Sequence, residues 1–444
     1  MRPPLGRHLR PALIIAALAA LLAGAALVAL LDARNGRDVA RAPAPRPGPT
    51  AEQPAQPASP PGEGLAVGLT ETSAGLLWSP EAQPEAPAGF GPWRDRLTAL
   101  APRYFRLLVN WSTIQPDPSR PPDWTVAADG CVRGHAPCAP YAGVRDILRA
   151  IASQQKAGRG FEVLVSILHV PAWAAAPPSG CERAGAAPLS RPISDAGLLG
   201  YRALIRALAA LGAAEGVPLR WWSPWNEPNG TFFISPQRAV CDRSSPPVSA
   251  AVYTRLARAM RAELAAIPGD QRLVVAELAG FPGPLVRGSG VKEFFDALPD
   301  DVVCSASVYA QHAYAERGRP EAAQGPVDEL EAALDRRPCA RDKPIWITET
   351  GIGGPDVGND RTGGEAALRV DCRAMDAALR RWDLDPRVEA AFQYLFRDDP
   401  VYPVGLADVG LTHAWPTYDL WLAWGGDRPP AGPAPALPDA CAPA

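Results

Sequence analysis

The 444-residue chain has only five histidines, no Cys-x-x-Cys pair and no surplus of basic residues. Scattered histidines without paired cysteine spacing argue against a zinc site. A net charge of −3 argues against a nucleic-acid surface, and the bulk is more acidic still. Residues 1–62 hold 7 Arg against Asp32, Asp38 and Glu52, which leaves 37 basic and 44 acidic residues, a net of −7, for the rest. Also missing is a glycine-rich turn after the first strand-like run. GLTETSAG at 68–75 is no phosphate cradle, which weakens the alternative of an open, doubly wound nucleotide-binding sheet. With 47% hydrophobic and 20% charged residues the chain can bury a substantial core, while 52 Pro and 40 Gly demand turns, loops or a linker.

The longest hydrophobic run is PALIIAALAALLAGAALVALL at 11–31, uncharged and of bilayer-spanning length. Arg2, Arg7 and Arg10 precede it, so residues 1–10 are expected in the cytoplasm and everything after Leu31 outside. The run is longer than a signal-peptide core, which favours an anchor; Ala40-Arg41-Ala42 keeps the cleaved, secreted alternative open. Residues 32–63 follow as a linker whose 42–62 portion is Pro-rich, a stretch that favours extended polyproline II. A folded body over 64–425 and a Pro-rich tail over 426–444, expected to wrap loosely on the surface, complete the chain. Eight cysteines in an exported chain are expected to be oxidised. Cys131 and Cys138 flank a short loop and form the simplest bridge. Cys181–Cys241, Cys304–Cys339 and Cys372–Cys441 are expected from loop adjacency in the fold below.

Between residues 65 and 425 short apolar runs alternate with longer amphipathic ones, the pattern of parallel strands joined by helices. Strand-like runs fall at 65–69, 104–109, 162–168, 219–225, 273–278, 304–311, 344–348 and 388–396. Helical composition falls at 93–101, 143–157, 195–215, 250–267, 292–298, 327–336, 364–382 and 415–424. VLVSIL at 163–168 is apolar on both faces, as in a strand covered by helices on one side and core on the other. Eight such repeats predict an α/β fold, a (β/α)8 TIM barrel with inserted loops.

In such barrels the loops after the strands' C-terminal ends build the active site. The fourth run ends in Trp225-Asn226-Glu227-Pro228-Asn229 and the seventh in Thr348-Glu349-Thr350-Gly351, almost across the mouth from one another. Two carboxyls facing one bond are what glycoside hydrolysis requires: one protonates the departing oxygen, the other attacks the anomeric carbon or activates water. A separation of ~5–5.5 Å gives retention and ~6.5–9.5 Å gives inversion. Other polar or aromatic residues at the run ends are Asn110-Trp111, His169, Trp173, His312 and Tyr314. Trp111, Trp173, Trp225 and Phe233 are candidates to stack on a sugar face, Trp173 foremost. Asn110-Trp-Ser and Asn229-Gly-Thr match glycosylation acceptors by chance, since a glycan there would block the cleft.

WNEPN at 225–229 and WITETG at 346–351, in this order, resemble the two catalytic signatures of glycoside hydrolase clan A. YFRLLVNWSTIQP at 104–116 and LHVPAWA at 168–174 are similar to families 39 and 5 of that clan, including cellulase-like bacterial members, and the likeness covers most of 65–424. The resemblance implies retention, with Glu227 as general acid/base and Glu349 as nucleophile. It implies Asn226 on the sugar 2-hydroxyl, Arg106 beside the nucleophile, and His312 and Tyr314 as an HxY element whose tyrosine approaches Glu349. His169 corresponds to a substrate-contacting position. The clan often ends its eighth strand in tryptophan; here AFQYLFRDD at 391–399 offers Phe392, Tyr394 and Phe396 instead.

The chain is therefore expected to be a membrane-tethered or secreted O-glycosyl hydrolase, without a cofactor, that degrades external or cell-envelope polysaccharide or oligosaccharide, preferably β-linked. A transglycosidase would need the same residues plus an acceptor site. A non-catalytic sugar-binding barrel is the third reading, against which both glutamates and Asn226 speak. Sugar identity, endo or exo action and oligomeric state are not encoded in these motifs.

Overall fold

The computed structural model describes residues 64–125, 131–139, 143–319, 321–352, 364–426, 428 and 432–443. The expected cytoplasmic stub, membrane helix and linker (1–63) lie outside the described residues. Eight parallel strands close into a barrel in sequence order. They are β1 (Ala66–Thr70), β2 (Tyr104–Asn110), β3 (Glu162–Leu168), β4 (Leu219–Ser223), β5 (Arg272–Leu278), β6 (Val308–His312), β7 (Ile345–Thr350) and β8 (Val388–Tyr394). One principal helix follows each: α1 (Gly91–Ala99), α2 (Val144–Lys156), α3 (Asp195–Glu215), α4 (Ser249–Leu264), α5 (Val291–Asp296), α6 (Gly325–Leu334), α7 (Gly364–Leu384) and α8 (Pro416–Trp424).

Local sequence explains these elements. In α2 the buried Val144, Ile147, Leu148 and Ile151 recur at helical spacing and press on the barrel. Ser194 caps α3 by accepting from the Gly197 N–H at 3.0 Å, and Gly216 ends it in the left-handed region at φ 75°. By length and composition α3 could also cross a membrane, yet it is the third crossover helix of the barrel. Several strand boundaries differ from the expected ones by one to four residues, two of them for clear reasons. β4 stops at Ser223 because Pro224 has no N–H to give the ladder. β6 begins at Val308 because Pro299 starts a short helix, Asp300–Val303, that Cys304 terminates.

Inside the barrel, side chains stack by layer. Tyr104, Leu164, Trp221, Val274, Val308, Ala310, Trp346, Ala390 and Phe392 form an apolar floor, with Trp346 centred 4.5 Å from both Tyr104 and Trp221. Gly68 lets Phe392 in: a Cβ at that position would meet the ring at 2.4 Å. Two residues further along the same faces come Arg106, Ser166, Ser223 and His312, so alternation alone sets a polar layer above the floor. β5 and β7 break the alternation. Register shifts between Ala276 and Leu278 and between Ile347 and Glu349 each insert one extra residue, and such bulges turn a side chain to the other face.

The short-loop bridge Cys131–Cys138 and the three pairings expected from loop adjacency, Cys181–Cys241, Cys304–Cys339 and Cys372–Cys441, all form. Four bridges mark a chain that folds in an oxidising, extracytoplasmic setting. The tail is docked on α7 rather than loosely wrapped. Cys441 is buried, and Arg369, Arg373 and Arg380 of α7 donate to the carbonyls of Asp439, Cys441 and Pro435.

Candidate active site

Glu227 sits on the turn after β4, where the Asn226 N–H donates to the Ile167 carbonyl and the Glu227 N–H donates to the Glu277 carbonyl, each at 3.0 Å. Glu349 lies on the bulged end of β7. The two strand ends bring the acids to one opening. His312 Nδ1 stands 2.8 Å from Glu227 Oε1 and 3.4 Å from Glu349 Oε2. One carboxylate oxygen of each glutamate and a ring nitrogen of His312 all lie within 4.8 Å of one another. Two oxygens and a nitrogen at this range have the chemistry of a cation site. The 2.8 Å contact is instead hydrogen-bond length, so the cluster is read as proton-sharing. Glu227 is the more accessible acid, its side chain 22% exposed against 10% for Glu349.

Arg106, on the interior face of β2, holds the cluster together. Its Nη1 donates to Glu349 Oε1 at 2.5 Å, Nε to Glu277 Oε1 at 2.6 Å and Nη2 to Asn226 Oδ1 at 2.5 Å. Tyr314 donates its O–H to Glu349 Oε2 at 2.8 Å. Six expected residues are thus brought together: Glu227, Glu349, Asn226, Arg106, His312 and Tyr314.

Charge follows from burial and neighbours. Burial works against the Arg106 cation, but Glu277 and Glu349 outweigh it and hold the guanidinium above its ordinary value. Burial pushes the Glu277 carboxyl up, and Arg106 and His312 together overcome that and hold it well below the usual carboxylate range. His312 likewise loses charge to burial and regains more from Glu349, Glu227 and Glu277, which push it up to about 9. Burial, then the Glu349 charge, raises Tyr314 well above an ordinary phenol, so it remains a donor.

The remaining expected residues lie apart from this cluster. His169, at φ 61°, stacks on Phe233 with ring centres 5.5 Å apart, and burial lowers its pKa. Trp173 donates its indole N–H to the Gln115 carbonyl and lies edge-on to Trp111 at 5.4 Å, half-buried against Gly200 of α3. Trp111 and Trp225 were candidates for sugar stacking, but both are 0% exposed and can offer no face. Of the residues standing in for a tryptophan on β8, Phe392 lies in the floor and Phe396 is fully buried. Tyr394, with Tyr402 at 6.3 Å, lies near Glu349, whose charge adds to burial in raising both phenols. Asn229 is buried, its amide bonded to the backbone of Ala279 and Ser289, which agrees with reading its acceptor motif as chance.

Sequence reasoning missed Glu277, Ser166 and Tyr402. An acid inside the apolar VVAEL of β5 was a usable signal for Glu277. Nothing marked Tyr402, which reaches the site from the loop after β8 and meets Tyr314 edge-on at 5.2 Å. Four non-glycine residues with positive φ crowd the same mouth: His169 (61°), Glu227 (38°), Ala276 (91°) and Glu277 (51°). Each such conformation costs ~1–3 kcal/mol and persists where the surroundings enforce it, as at active sites. A separate cavity of about 680 Å³, lined by Arg206, Leu219, Ile267 and Asp270 among others, opens at the opposite face where strands begin.

No protein-family model matches the chain, and no curated protein matches it in sequence. Solved structures do. A monomeric β-xylosidase from Caulobacter crescentus CB15 is 14% identical over 83% of this chain and 69% of that one, with a TM-score of 0.51. A glucosidase from Croceicoccus marinus is 13% identical over 82% and 68%, with a TM-score of 0.52. A family 39 glycoside hydrolase from Bacteroides cellulosilyticus WH2 is 15% identical over 84% of this chain, with a TM-score of 0.50; the match spans 65% of that enzyme's length. The likeness is one of fold, a (β/α)8 barrel.

Proposed function

We propose that the chain is a retaining O-glycosyl hydrolase that cleaves β-linked polysaccharide or oligosaccharide outside the cytoplasm, held at the membrane by its N-terminal apolar segment. One observation carries the mechanism: oxygens of Glu227 and Glu349 lie within 4.8 Å of each other. That is near the ~5–5.5 Å carboxyl spacing of double displacement and too close for the intervening water of inversion, which needs ~6.5–9.5 Å. The roles follow from surroundings. Glu349, fastened by Arg106 and Tyr314, keeps one aligned lone pair for the anomeric carbon; Glu227, more open to solvent, exchanges protons and serves the departing oxygen, then water. Asn226 has its oxygen on Arg106, which leaves its NH2 to donate to the sugar 2-hydroxyl. Tyr394 and Tyr402 supply aromatic surface beside the nucleophile in place of the missing tryptophan.

A panel of aryl β-glycosides tests this directly. The protein should release aryl alcohol with retained anomeric configuration in the sugar product. Glu349→Ala should abolish turnover, and azide should restore it as a glycosyl azide of inverted configuration, because the small anion attacks from the vacated side. Glu227→Ala should keep activity chiefly on substrates whose leaving groups need no protonation. Ordinary hydrolysis by either variant would defeat the assignment.

A further inference from the structure

We propose that Glu277 is a positioning residue of this site: a third buried carboxylate that aims the Arg106 guanidinium at Glu349 and Asn226 and keeps an anion beneath His312. The inference rests on reading Glu227 and Glu349 as the reacting pair.

The fold is shaped to put this acid there. Plain alternation along β5 would send Ala276 inward, above Val274, and Glu277 outward among the helices. The bulge reverses that, and side chains from three elements capture the backbone groups it displaces. Tyr253 Oη of α4 accepts from the Ala276 N–H at 2.9 Å, Gln311 of β6 donates to the Leu278 carbonyl at 2.8 Å, and Asn229 pairs with both backbone groups of Ala279. The Glu277 carbonyl accepts the Glu227 N–H, so the same bulge also sets the acid/base turn. Both carboxylate oxygens are engaged: Oε1 by Arg106 Nε at 2.6 Å and Oε2 by Ser166 Oγ at 2.5 Å.

A guanidinium is a rigid planar fork, so clamping its Nε edge fixes where Nη1 and Nη2 point. Those two nitrogens meet Glu349 and Asn226. Sharing the cation between two anions also leaves the nucleophile less neutralised than an exclusive ion pair would. The neighbouring imidazole closes the arrangement. His312 faces Glu227 and Glu349 through Nδ1, and its Nε2 lies 4.0 Å from Glu277 Oε1, beyond hydrogen-bond length but close in charge. The charged and titratable groups around it are Glu227 from the turn after β4, Glu277 from β5, Glu349 from β7 and Arg106 from β2. The phenols are Tyr314 after β6, Tyr253 from α4, Tyr394 from β8 and Tyr402 from the loop beyond.

The test uses the full-length protein with Glu277→Gln, which keeps shape and removes charge, and Glu277→Asp, which keeps charge. With an aryl β-glycoside the wild type hydrolyses, Glu277→Gln should lower kcat/KM about tenfold or more at neutral pH, the size of a lost charge-assisted contact. Its alkaline limb should fall by about one pH unit or more, and Glu277→Asp should restore that limb. A proportionate loss at every pH, or an Asp variant whose limb matches Gln, would overturn the proposal. Nitrogen NMR of labelled histidine, assigned with His312→Gln, separates this from the glycosidase reading: the His312 midpoint should drop in Glu277→Gln whether or not any glycoside is cleaved. An unchanged midpoint would overturn the inference even in an active glycosidase. Absence of turnover by the wild type together with a lowered midpoint would defeat the proposed function while supporting the charge coupling.

Discussion

Tyr314→Phe should slow one half of the reaction and spare the other. The change removes a single 2.8 Å O–H···O bond to Glu349 and leaves the ring edge-on to Tyr402. A hydrogen bond to a charged acceptor contributes ~1.5–3 kcal/mol, equivalent to a rate factor of ~10–150. In the first step Glu349 gives up its charge to the anomeric carbon, so the bond from Tyr314 weakens toward the transition state and its loss does no harm. In the second step Glu349 departs and its charge returns, so the same bond strengthens toward the transition state and its loss is felt. With a dinitrophenyl glycoside, kcat should fall about 10- to 100-fold, KM should fall with it, and kcat/KM should stay within about threefold. Stopped-flow mixing should show a burst of dinitrophenol equal to the enzyme present, the mark of an accumulating glycosyl-enzyme. A kcat/KM that falls as far as kcat, with no burst, would refute the assignment of Glu349 as a nucleophile that must also leave.

Three further outcomes follow from packing and charge. Replacing Cys372 and Cys441 by serine opens a loop of sequence separation 69, for which chain entropy gives about 4 kcal/mol of stability lost; a guanidinium midpoint shift worth under ~1 kcal/mol would show the α7 arginines hold the tail unaided. Gly68→Ala places a methyl 2.4 Å from the Phe392 ring and should cost ~1–3 kcal/mol, with Gly68→Ala/Phe392→Leu costing less than the two single changes added together. His312 holds its proton up to about pH 9 in the folded chain and to 6.5 in the unfolded one, so the folded state binds more protons between those values. Its stabilisation, ~3 kcal/mol at most, is complete below pH 6.5 and disappears as pH rises through about 9. Denaturation midpoints should decline across that window and His312→Gln should remove the decline; parallel curves for the two proteins would refute it.

How much of this was legible depended on whether a residue obeyed its strand. Arg106 came from the resemblance to clan A alone, and the structure bears out its place because Tyr104 and Arg106 share the interior face of β2. Three of the disulfides emerged from the βα rhythm, which sets neighbouring loops side by side, and Cys131–Cys138 from the short loop its cysteines flank. Glu277 was hidden for the opposite reason: VVAEL carries no glycine or proline to announce a bulge, and strict alternation points its acid at the helices. Glu349 has the same geometry, one residue out of phase with Trp346, but its place at the end of the seventh run and its WITETG motif revealed it. The tryptophans failed differently. Trp111 and Trp225 adjoin the mouth in sequence but are covered by α3 and the loop carrying Phe233, contacts no local pattern encodes.

These failures share a location, and the location carries meaning. Two register shifts and four left-handed non-glycine residues fall where β3, β4, β5 and β7 end, while two further shifts, at Val163/Leu164 and Ile345/Trp346, lie at the level of the apolar floor. A fold gains nothing in stability from bending strands to bury Glu277 and Glu349 together, since each buried carboxylate needs a compensating cation and each positive φ carries strain. The bulges that turn Glu277 and Glu349 inward fit a need for carboxylates to converge at one point, which is a requirement of chemistry rather than packing. The bulges at the mouth therefore support the reading of Glu227 and Glu349 as the reacting pair, and they put Glu277 beside that pair as a positioning residue.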